Sequence, residues 1–265
     1  MPVAIITGAS RGLGRALAIG LAGAGWELVI DARTPGDLAA AAGEISSVTG
    51  SRVAAVPGDV TDAGHRRALV GAADRLGGLD LLVNNAGILG PSPQPPLFDY
   101  PLGVLREVYE VNVVAPLGLI QAALPALRDR RGAIVNVTSD AAVEAYPGWG
   151  GYGSAKAAIE QASRVLAAEE PDLRVWWVDP GDLRTRMHQE AFPGEDISDR
   201  PLPDTVVPAF LRLLADPPRS GRVRLADLVA EPRGSLPAAP ERDVVPPLRP
   251  GADAAALRSP TEAAR

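Results

Sequence analysis

A serine, a tyrosine and a lysine are spaced in this chain so that they could together deliver a proton to a carbonyl oxygen. Tyr152 and Lys156 are four residues apart in an Ala-rich stretch, and Ser139 precedes Tyr152 by 13 residues. In a helix, residues four apart project from the same face. Addition of hydride to a carbonyl group builds negative charge on its oxygen, which a positioned acid must neutralise. We therefore predict that Tyr152 is the general acid/base.

The lysine and the serine have chemical reasons to accompany that tyrosine. A free tyrosine has a pKa near ~10, so its phenolate is scarce at neutral pH. A neighbouring ammonium group favours the phenolate, so we expect Lys156 to lower the pKa of Tyr152. Ser139 can donate a hydrogen bond to the substrate oxygen and polarise it.

The use of basic residues supports a special role for Lys156. The chain has 26 Lys plus Arg residues, and Lys156 is the sole lysine among them. A compact ammonium group and a planar guanidinium group are not interchangeable. We interpret Lys156 as a position that arginine cannot fill. The alternative is a chance lysine on a solvated helix face.

A glycine-rich segment, Thr7-Gly8-Ala9-Ser10-Arg11-Gly12-Leu13-Gly14, follows the first apolar run and precedes a helix-like stretch. Glycines allow the backbone to approach a pyrophosphate closely, and a helix N-terminus offers free N–H groups to an anion. The position between a strand and a helix is the one that this mechanism requires. The alternative is an ordinary Gly-rich turn.

Short apolar runs alternate with longer helix-like stretches along most of the chain. The predicted strands are 3–6, 28–30, 53–56, 79–83, 133–137 and 175–178, and the predicted helices are 15–24, 36–48, 63–76, 102–127 and 154–169. Continuously apolar strands separated by helices indicate a parallel sheet that is buried on both faces. With right-handed crossovers, they predict a three-layer, doubly wound α/β Rossmann fold.

Several of these motifs together resemble the short-chain dehydrogenase/reductase family. The shared features are the Gly-x-x-x-Gly-x-Gly spacing, Asn84-Asn85-Ala86-Gly87 after the fourth strand, and Ser139 with Tyr152 and Lys156. The resemblance covers roughly residues 3 to 230. It implies an NAD(P)-dependent oxidoreductase that transfers a hydride between a nicotinamide cofactor and a ketone or secondary alcohol.

The resemblance also implies roles for residues that their types alone leave open. Lys156 would hold the nicotinamide ribose hydroxyls, and Asn112 would join the catalytic group by holding a water that relays protons through the lysine. By itself, a polar residue such as Asn112 among apolar neighbours usually indicates a satisfied buried amide. Asp59 would touch the adenine ring, whereas Thr61 or Asp62 could cap the next helix. The cofactor contacts implied by the resemblance are Gly8, Ser10, Arg11, Gly12, Leu13, Gly14, Arg33, Asp59, Val60, Asn85, Ala86, Gly87, Tyr152, Lys156, Pro180, Gly181 and Thr185.

The second predicted strand ends in Asp31-Ala32-Arg33, which bears on the choice of cofactor. A carboxylate here can bind the adenosine ribose and select NAD, whereas a nearby arginine accommodates the 2′-phosphate of NADP. Asp31 lies one residue before the family's NAD-selecting position, while Arg33 and Arg11 match basic positions of NADP-dependent members. We expect NADP(H) to be preferred, with NAD(H) as the alternative. A surface charge at Arg33 and a strand-end turn residue at Asp31 are the competing interpretations.

The substrate and the assembly are less well defined by the sequence. We expect Ser139, Trp149 and Tyr152 to border the substrate, although Trp149 could instead pack into a subunit interface. The Pro-rich segment 91–101 is either a rim of the pocket or a stiff connector, and 187–199 resembles the family's mobile lid. The resemblance implies a homodimer or homotetramer.

Composition excludes several other classes. The chain has no cysteine, which removes disulfides, thiolate catalysis and cysteine-based metal sites. His65 and His188 are its two histidines, and we interpret both as surface residues, so no metal site is predicted. The net charge of −6 argues against nucleic acid as a partner. No leader or membrane-spanning run is evident, so we expect no membrane partner and a cytoplasmic protein.

The chain divides into one predicted domain and a tail. Residues 1–230 form the dinucleotide-binding and catalytic domain, and 231–265 form a Pro/Ala/Arg-rich tail that we expect to be disordered or loosely packed. A catalytically silent, dinucleotide-sensing regulatory protein is the alternative function, and a methyltransferase on a similar sheet is a third. The intact Ser139, Tyr152 and Lys156 argue against both.

Overall fold

The computed structural model describes residues 1–229 and contains a seven-stranded parallel sheet of order β3-β2-β1-β4-β5-β6-β7. The strands are β1 Val3–Ile6, β2 Glu27–Ala32, β3 Val53–Pro57, β4 Leu81–Asn84, β5 Ala133–Val137, β6 Arg174–Asp179 and β7 Gly221–Arg224. The predicted Rossmann fold is confirmed. The proposed tail, 231–265, lies outside the described residues.

Helices cover both faces of this sheet. They are α1 Gly12–Gly23, α2 Pro35–Thr49, α3 Ala63–Leu76, α4 Leu102–Tyr109, α5 Ala115–Arg130, α6 Gly150–Glu169, α7 Arg186–Ala191, α8 Val207–Ala215 and α9 Leu225–Val229. Side chains alternate along β1, so that Ala4 and Ile6 pack toward α1 and α8, and Val3 and Ile5 pack toward α3 and α5. This alternation explains why the strand is apolar at every position.

The sheet reverses its strand order between β1 and β4. In a doubly wound sheet, ligands bind at the carboxyl ends of the strands on either side of such a reversal. The glycine-rich segment follows β1, the Asn-Asn-Ala-Gly quartet follows β4, and Ser139 follows β5. The topology therefore brings the motifs to one edge of the sheet.

One strand is absent from the sequence prediction. β7 has the sequence Gly-Arg-Val-Arg and pairs in parallel with β6, in a register that places Arg222 beside Trp177. Its charged residues hide it from a search for apolar runs. As an edge strand it is only partly buried, so polar side chains are tolerated there.

The long predicted helix 102–127 is also interrupted. Residues Glu110–Val114 form a π-helical turn between α4 and α5. The whole segment Leu102–Arg130 is apolar and long enough, at 29 residues and a mean hydropathy of 1.4, to match a membrane span, which the sequence analysis did not recognise. In this fold α5 packs against α3, β4 and β5, which buries part of its apolar surface.

Candidate active site

A cavity of about 1140 Å³ opens at the carboxyl edge of the sheet. The sequence-predicted residues that line it are Gly8, Ser10, Arg11, Gly12, Leu13, Arg33, Asp59, Val60, Asn85, Ala86, Gly87, Ser139, Trp149, Tyr152, Lys156, Pro180, Gly181 and Thr185. Gly14 and Asn112 are not part of this lining. The fold thus collects nearly all of the predicted residues around one space.

Backbone geometry shapes the glycine-rich end of the cavity. Gly8 and Gly12 have φ angles of +67° and +57°, which side chains disfavour. A Cβ atom on Gly14 would lie 2.5 Å from Nδ2 of Asn85 and 2.6 Å from the carbonyl oxygen of Gly8. Gly14 therefore allows α1 to pack against the loop, rather than lining the cavity itself.

The loop is fastened to the end of β4 by Thr7. Its hydroxyl accepts hydrogen bonds from the backbone N–H groups of Asn85, at 3.0 Å, and Ala86, at 2.9 Å, while Nδ2 of Asn85 donates to the Thr7 carbonyl at 2.8 Å. No side chain caps α1, which begins at Gly12. The N–H groups of its first turn are therefore unused by capping and suit a pyrophosphate.

Tyr152 and Lys156 lie on consecutive turns of α6 at the other end of the cavity. They are 7% and 5% exposed, and Nζ of Lys156 lies 5.5 Å from the centre of the Tyr152 ring. The ammonium group donates to the Val137 carbonyl oxygen at 2.8 Å. A Cβ atom on Gly153 would lie 2.5 Å from the Ala141 carbonyl oxygen, so this glycine lets α6 approach the segment after Ser139.

Ser139 lies two residues beyond β5 and faces the same cavity. Its Oγ donates to Oδ1 of Asp140 at 2.9 Å and accepts from the backbone N–H of Ala141 at 3.2 Å. The hydroxyl is therefore engaged by a carboxylate in this structure. It must turn away from Asp140 before it can donate to a substrate oxygen.

The electrostatic environment corrects the expected pKa of Tyr152. Burial, followed by the negative charges of Asp140 and Asp179, raises the pKa of the phenol above its ordinary value. Burial also lowers the pKa of Lys156 to about 8. The expectation of a lowered pKa for Tyr152 is wrong for this structure, because burial and the two carboxylates set the direction of the shift.

Asn112 is a satisfied buried amide. It lies in the π-helical turn, is 2% exposed, and exchanges hydrogen bonds of 2.8 and 2.9 Å with the backbone C=O and N–H of Ile88. A Cβ atom on Gly87 would lie 3.0 Å from Oδ1 of Asn112 and 3.8 Å from Nζ of Lys156. The amide of Asn112 therefore holds the backbone at Gly87 and Ile88, which lies between Asn112 and Lys156. A role of Asn112 in a proton relay stays a prediction.

Asp31 and His65 form a buried pair that the sequence analysis missed. Asp31 lies within β2, is 1% exposed, and accepts a hydrogen bond from the N–H of Gly8 at 2.7 Å. Nε2 of His65, from α3, lies 2.9 Å from the other carboxylate oxygen. The interpretations of Asp31 as a strand-end turn residue and of His65 as a surface residue are both wrong. Partners 34 residues apart leave no local pattern in the sequence.

The polar residues that follow β3 and β2 differ in their hydrogen-bond partners and in their contact with the cavity. Asp59 accepts hydrogen bonds from the N–H and hydroxyl groups of Thr61, whereas Asp62 caps α3 by accepting from the N–H of His65. Capping therefore belongs to Asp62, one of the two candidates. Arg33 is exposed and lines the cavity beyond Asp59.

Aromatic side chains surround the catalytic end. The ring of Trp149 lies 5.9 Å from those of both Tyr152 and Phe192, and Trp149 lines the cavity. The side chain of His188 is only 9% exposed and packs 4.9 Å from Phe192, so its interpretation as a surface residue is wrong. Thr185 caps α7 by accepting from the N–H of His188, and it also lines the cavity.

The Pro-rich segment 91–101 behaves as a connector. None of its residues lines the cavity, although the preceding Leu89 and Gly90 do. The hydroxyl of Ser92 donates to the Glu190 carbonyl oxygen of α7 at 2.6 Å. The segment thus contacts α7 through a hydrogen bond.

Comparisons with known proteins agree with this geometry. The model of the short chain dehydrogenase family matches residues 2–196. Sepiapterin reductase from Meriones unguiculatus is 37% identical over 201 residues, which cover 71% of this chain and 77% of the relative. An alcohol dehydrogenase from Thermococcus sibiricus, complexed with 5-hydroxy-NADP, superimposes with a TM-score of 0.77 and 32% identity over 84% of this chain and 95% of that one. A short-chain dehydrogenase from Shigella flexneri, complexed with NADP, superimposes with a TM-score of 0.80 and 29% identity. The match covers 85% of this chain and 97% of that one.

The family model covers most of the chain, and the glycine loop and the Ser-Tyr-Lys group lie within the matched residues. This chain belongs to the short-chain dehydrogenase/reductase family, whose members are oxidoreductases that act on CH–OH and C=O groups.

Proposed function

We propose that this protein transfers a hydride between NADP(H) and a ketone or secondary alcohol, with Tyr152 as the general acid/base. The observation that carries the proposal is the arrangement of one continuous cavity. Tyr152 and Lys156 are buried at one end, and the exposed Arg11 and Arg33 lie at the other. An extended dinucleotide would place its two ends at these two groups.

The preference for NADP(H) rests on Asp31 as much as on the arginines. Both carboxylate oxygens of Asp31 are engaged, one by the N–H of Gly8 and the other by His65. Burial and these two partners disfavour binding of ribose hydroxyls by Asp31, and such binding is the usual means of selecting NAD. Arg33 and Arg11 instead offer positive charge for a 2′-phosphate. The relatives complexed with NADP or its derivative support the same choice.

The bound cofactor would supply or accept the hydride, and the residues of this chain would manage the proton. Because the pKa of Tyr152 is raised, its phenol is protonated at neutral pH and is ready to donate to the carbonyl oxygen. The ammonium form of Lys156, which dominates below its pKa of about 8, would stabilise the phenolate left behind. Ser139 would hold the carbonyl oxygen during the transfer. At neutral pH the phenol is therefore in the protonated form that carbonyl reduction requires.

The substrate end of the cavity favours an apolar group next to the carbonyl. Tyr152 packs in a cluster with Leu89 and Ala141, against which Trp149 and Met187 are also packed. These apolar and aromatic side chains form one wall of this end of the cavity. We propose that the substrate carries a hydrocarbon or ring substituent that packs against Trp149.

The cofactor preference can be tested by quenching of tryptophan fluorescence in parallel titrations with NADPH and NADH. We expect NADPH to bind at least about tenfold more tightly, which corresponds to roughly 1.4 kcal/mol. A panel of ketones and secondary alcohols is then screened with the preferred cofactor. Tighter binding of NADH would contradict the cofactor assignment. Tight NADPH binding without turnover of any compound would favour a dinucleotide-sensing regulatory protein.

We also propose that the chain forms a homodimer or homotetramer through the helices that carry Asn112 and Tyr152. Val114 and Val165 are 48% and 46% exposed on these helices, which supports an apolar contact between copies. Sedimentation equilibrium of the full chain should give at least twice the mass of one chain. A monomer at micromolar concentration would contradict this.

A further inference from the structure

Arg222 of β7, the strand absent from the sequence prediction, connects three parts of the candidate active site. Its Nη2 donates to the carbonyl oxygen of Ser139 at 3.1 Å and to Oδ2 of Asp179 at 3.0 Å. Its Nε donates to Oε1 of Glu160 at 3.0 Å. One guanidinium group thus binds acceptors from the ends of β5 and β6 and from α6.

Each acceptor is tied to a residue of the proposed chemistry. Arg222 binds the backbone carbonyl oxygen of Ser139 itself. Glu160 lies one helical turn beyond Lys156 and also accepts from the hydroxyl of Thr138 at 2.8 Å. Asp179 directly precedes Pro180, and its second oxygen accepts from the N–H of Gly181 at 3.0 Å. Movement of the guanidinium group would release all three of these supports together.

The charges in this cluster depend on Arg222. The side chains of Glu160 and Asp179 are 2% and 5% exposed, and that of Arg222 is 20% exposed. The other cation beside Glu160 is Arg164, at 3.6 Å and half exposed. Desolvation disfavours the charged form of Arg222, but its bonds to Glu160 and Asp179 outweigh this effect and raise its pKa. Buried carboxylates that lose their partner are costly, so Arg222 holds both charges in place.

We propose that Arg222 is a positioning residue, which sets the placement of Ser139, of the Tyr152–Lys156 helix and of the Pro180-Gly181 loop relative to one another. This inference rests on the proposed function of the same site. The bridge uses two nitrogen atoms, Nε and Nη2, held in one plane by the guanidinium group, and the single nitrogen of a lysine cannot reproduce their spacing.

The charge of Arg222 should also act on the titration of the phenol. Tyr152 is faced by Lys156 on its own helix, by Asp140 after β5 and by Asp179 at the end of β6. Arg222 neutralises Asp179, and its neighbour Glu160 adds a second negative charge to the cluster. Loss of the Arg222 charge therefore leaves the surroundings of Tyr152 more negative and disfavours the phenolate further.

The test compares Arg222→Gln and Arg222→Lys with a matched control, Arg164→Gln, which removes a cation beside the same Glu160 without touching Ser139 or Asp179. Steady-state kinetics with NADPH and NADP⁺ and a substrate found in the panel are measured across pH, with circular dichroism to verify folding. We expect Arg222→Gln to lower kcat by about 10- to 100-fold, as displaced catalytic groups do. In this variant, the rate of alcohol oxidation should begin to increase at a higher pH than in the wild type, because the phenolate is disfavoured. Arg222→Lys should restore the pH profile but not kcat, and Arg164→Gln should stay within about twofold of the wild type.

Three results would overturn this proposal. The first is that Arg222→Gln keeps the kcat and the pH profile of the wild type. The second is that Arg164→Gln loses as much kcat as Arg222→Gln does. If Arg222→Gln does not fold, Arg222→Lys decides the matter, since a wild-type kcat in that variant would show that the fork is dispensable. An inactive wild type on the whole panel is a separate result, which contradicts the proposed function itself.

Discussion

The phosphate end of the cavity is held mainly by backbone geometry, whereas the catalytic end is held by side chains that meet across the sheet. Gly8, Gly12 and Gly14 shape the first end through positive φ angles and close approaches. The second end depends on contacts such as that between Arg222 and Ser139, which are 83 residues apart. The glycines that shape the backbone are visible in a short sequence motif, whereas contacts between distant side chains are not. The two ends should therefore respond differently to substitution.

The largest effect is expected at the catalytic end, from Tyr152→Phe. Removal of the phenolic hydroxyl should lower kcat by about 1000-fold, because positioned acid/base groups contribute roughly 10²- to 10⁴-fold. The affinity for NADPH should stay within about threefold, since the phosphate end is untouched. Tyr109→Phe, which lies outside the cavity lining, serves as the control. Retention of most of the activity by Tyr152→Phe would exclude the assigned role.

A smaller effect is expected at the phosphate end, from Gly14→Ala, and it should fall on cofactor affinity instead of kcat. The added Cβ atom would collide with Asn85 and with the Gly8 carbonyl, so the loop must shift. We expect the Kd for NADPH to rise by at least about tenfold, roughly 1.4 kcal/mol. Gly23→Ala, in the same helix, meets nothing within 4 Å and should leave binding unchanged. Equal affinities in the two variants would show that close packing at Gly14 is unimportant.

The smallest effect is expected from Arg33→Gln, which tests charge rather than shape at the phosphate end. Because Arg33 is exposed, loss of its charge should cost about 1 kcal/mol, which weakens NADPH binding by about fivefold and leaves NADH binding nearly unchanged. Fluorescence titrations with the two cofactors measure the ratio directly. If both affinities fell together, Arg33 would have a structural role instead of selecting the 2′-phosphate.

The same division explains which features the sequence could predict. The glycine loop, the Ser139, Tyr152 and Lys156 group and the six apolar strands follow from local spacing, and the structure gathers them as predicted. β7 could not be found, because alternating arginines conceal an edge strand whose polar side chains reach the site. The contact between Asp31 and His65 joins distant elements.

The pKa of Tyr152 was predicted in the wrong direction for a related reason. Spacing on a helix indicates that Lys156 is near, but it gives no measure of burial. It also gives no hint that Asp179, from another strand end, faces the phenol. The sign of the shift depends on desolvation and on these distant charges, which only the assembled structure provides.

The pH dependence of the wild-type enzyme in both directions tests most directly whether Tyr152 acts as a neutral phenol supported by the ammonium group of Lys156. In carbonyl reduction, kcat/KM should be level below the Lys156 pKa of about 8 and should fall above it, as the ammonium group is lost. In alcohol oxidation, kcat/KM should increase with pH, because the raised pKa of Tyr152 keeps the phenolate scarce at neutral pH. A reduction rate that increases through pH 8, or an oxidation rate that is independent of pH, would contradict the account.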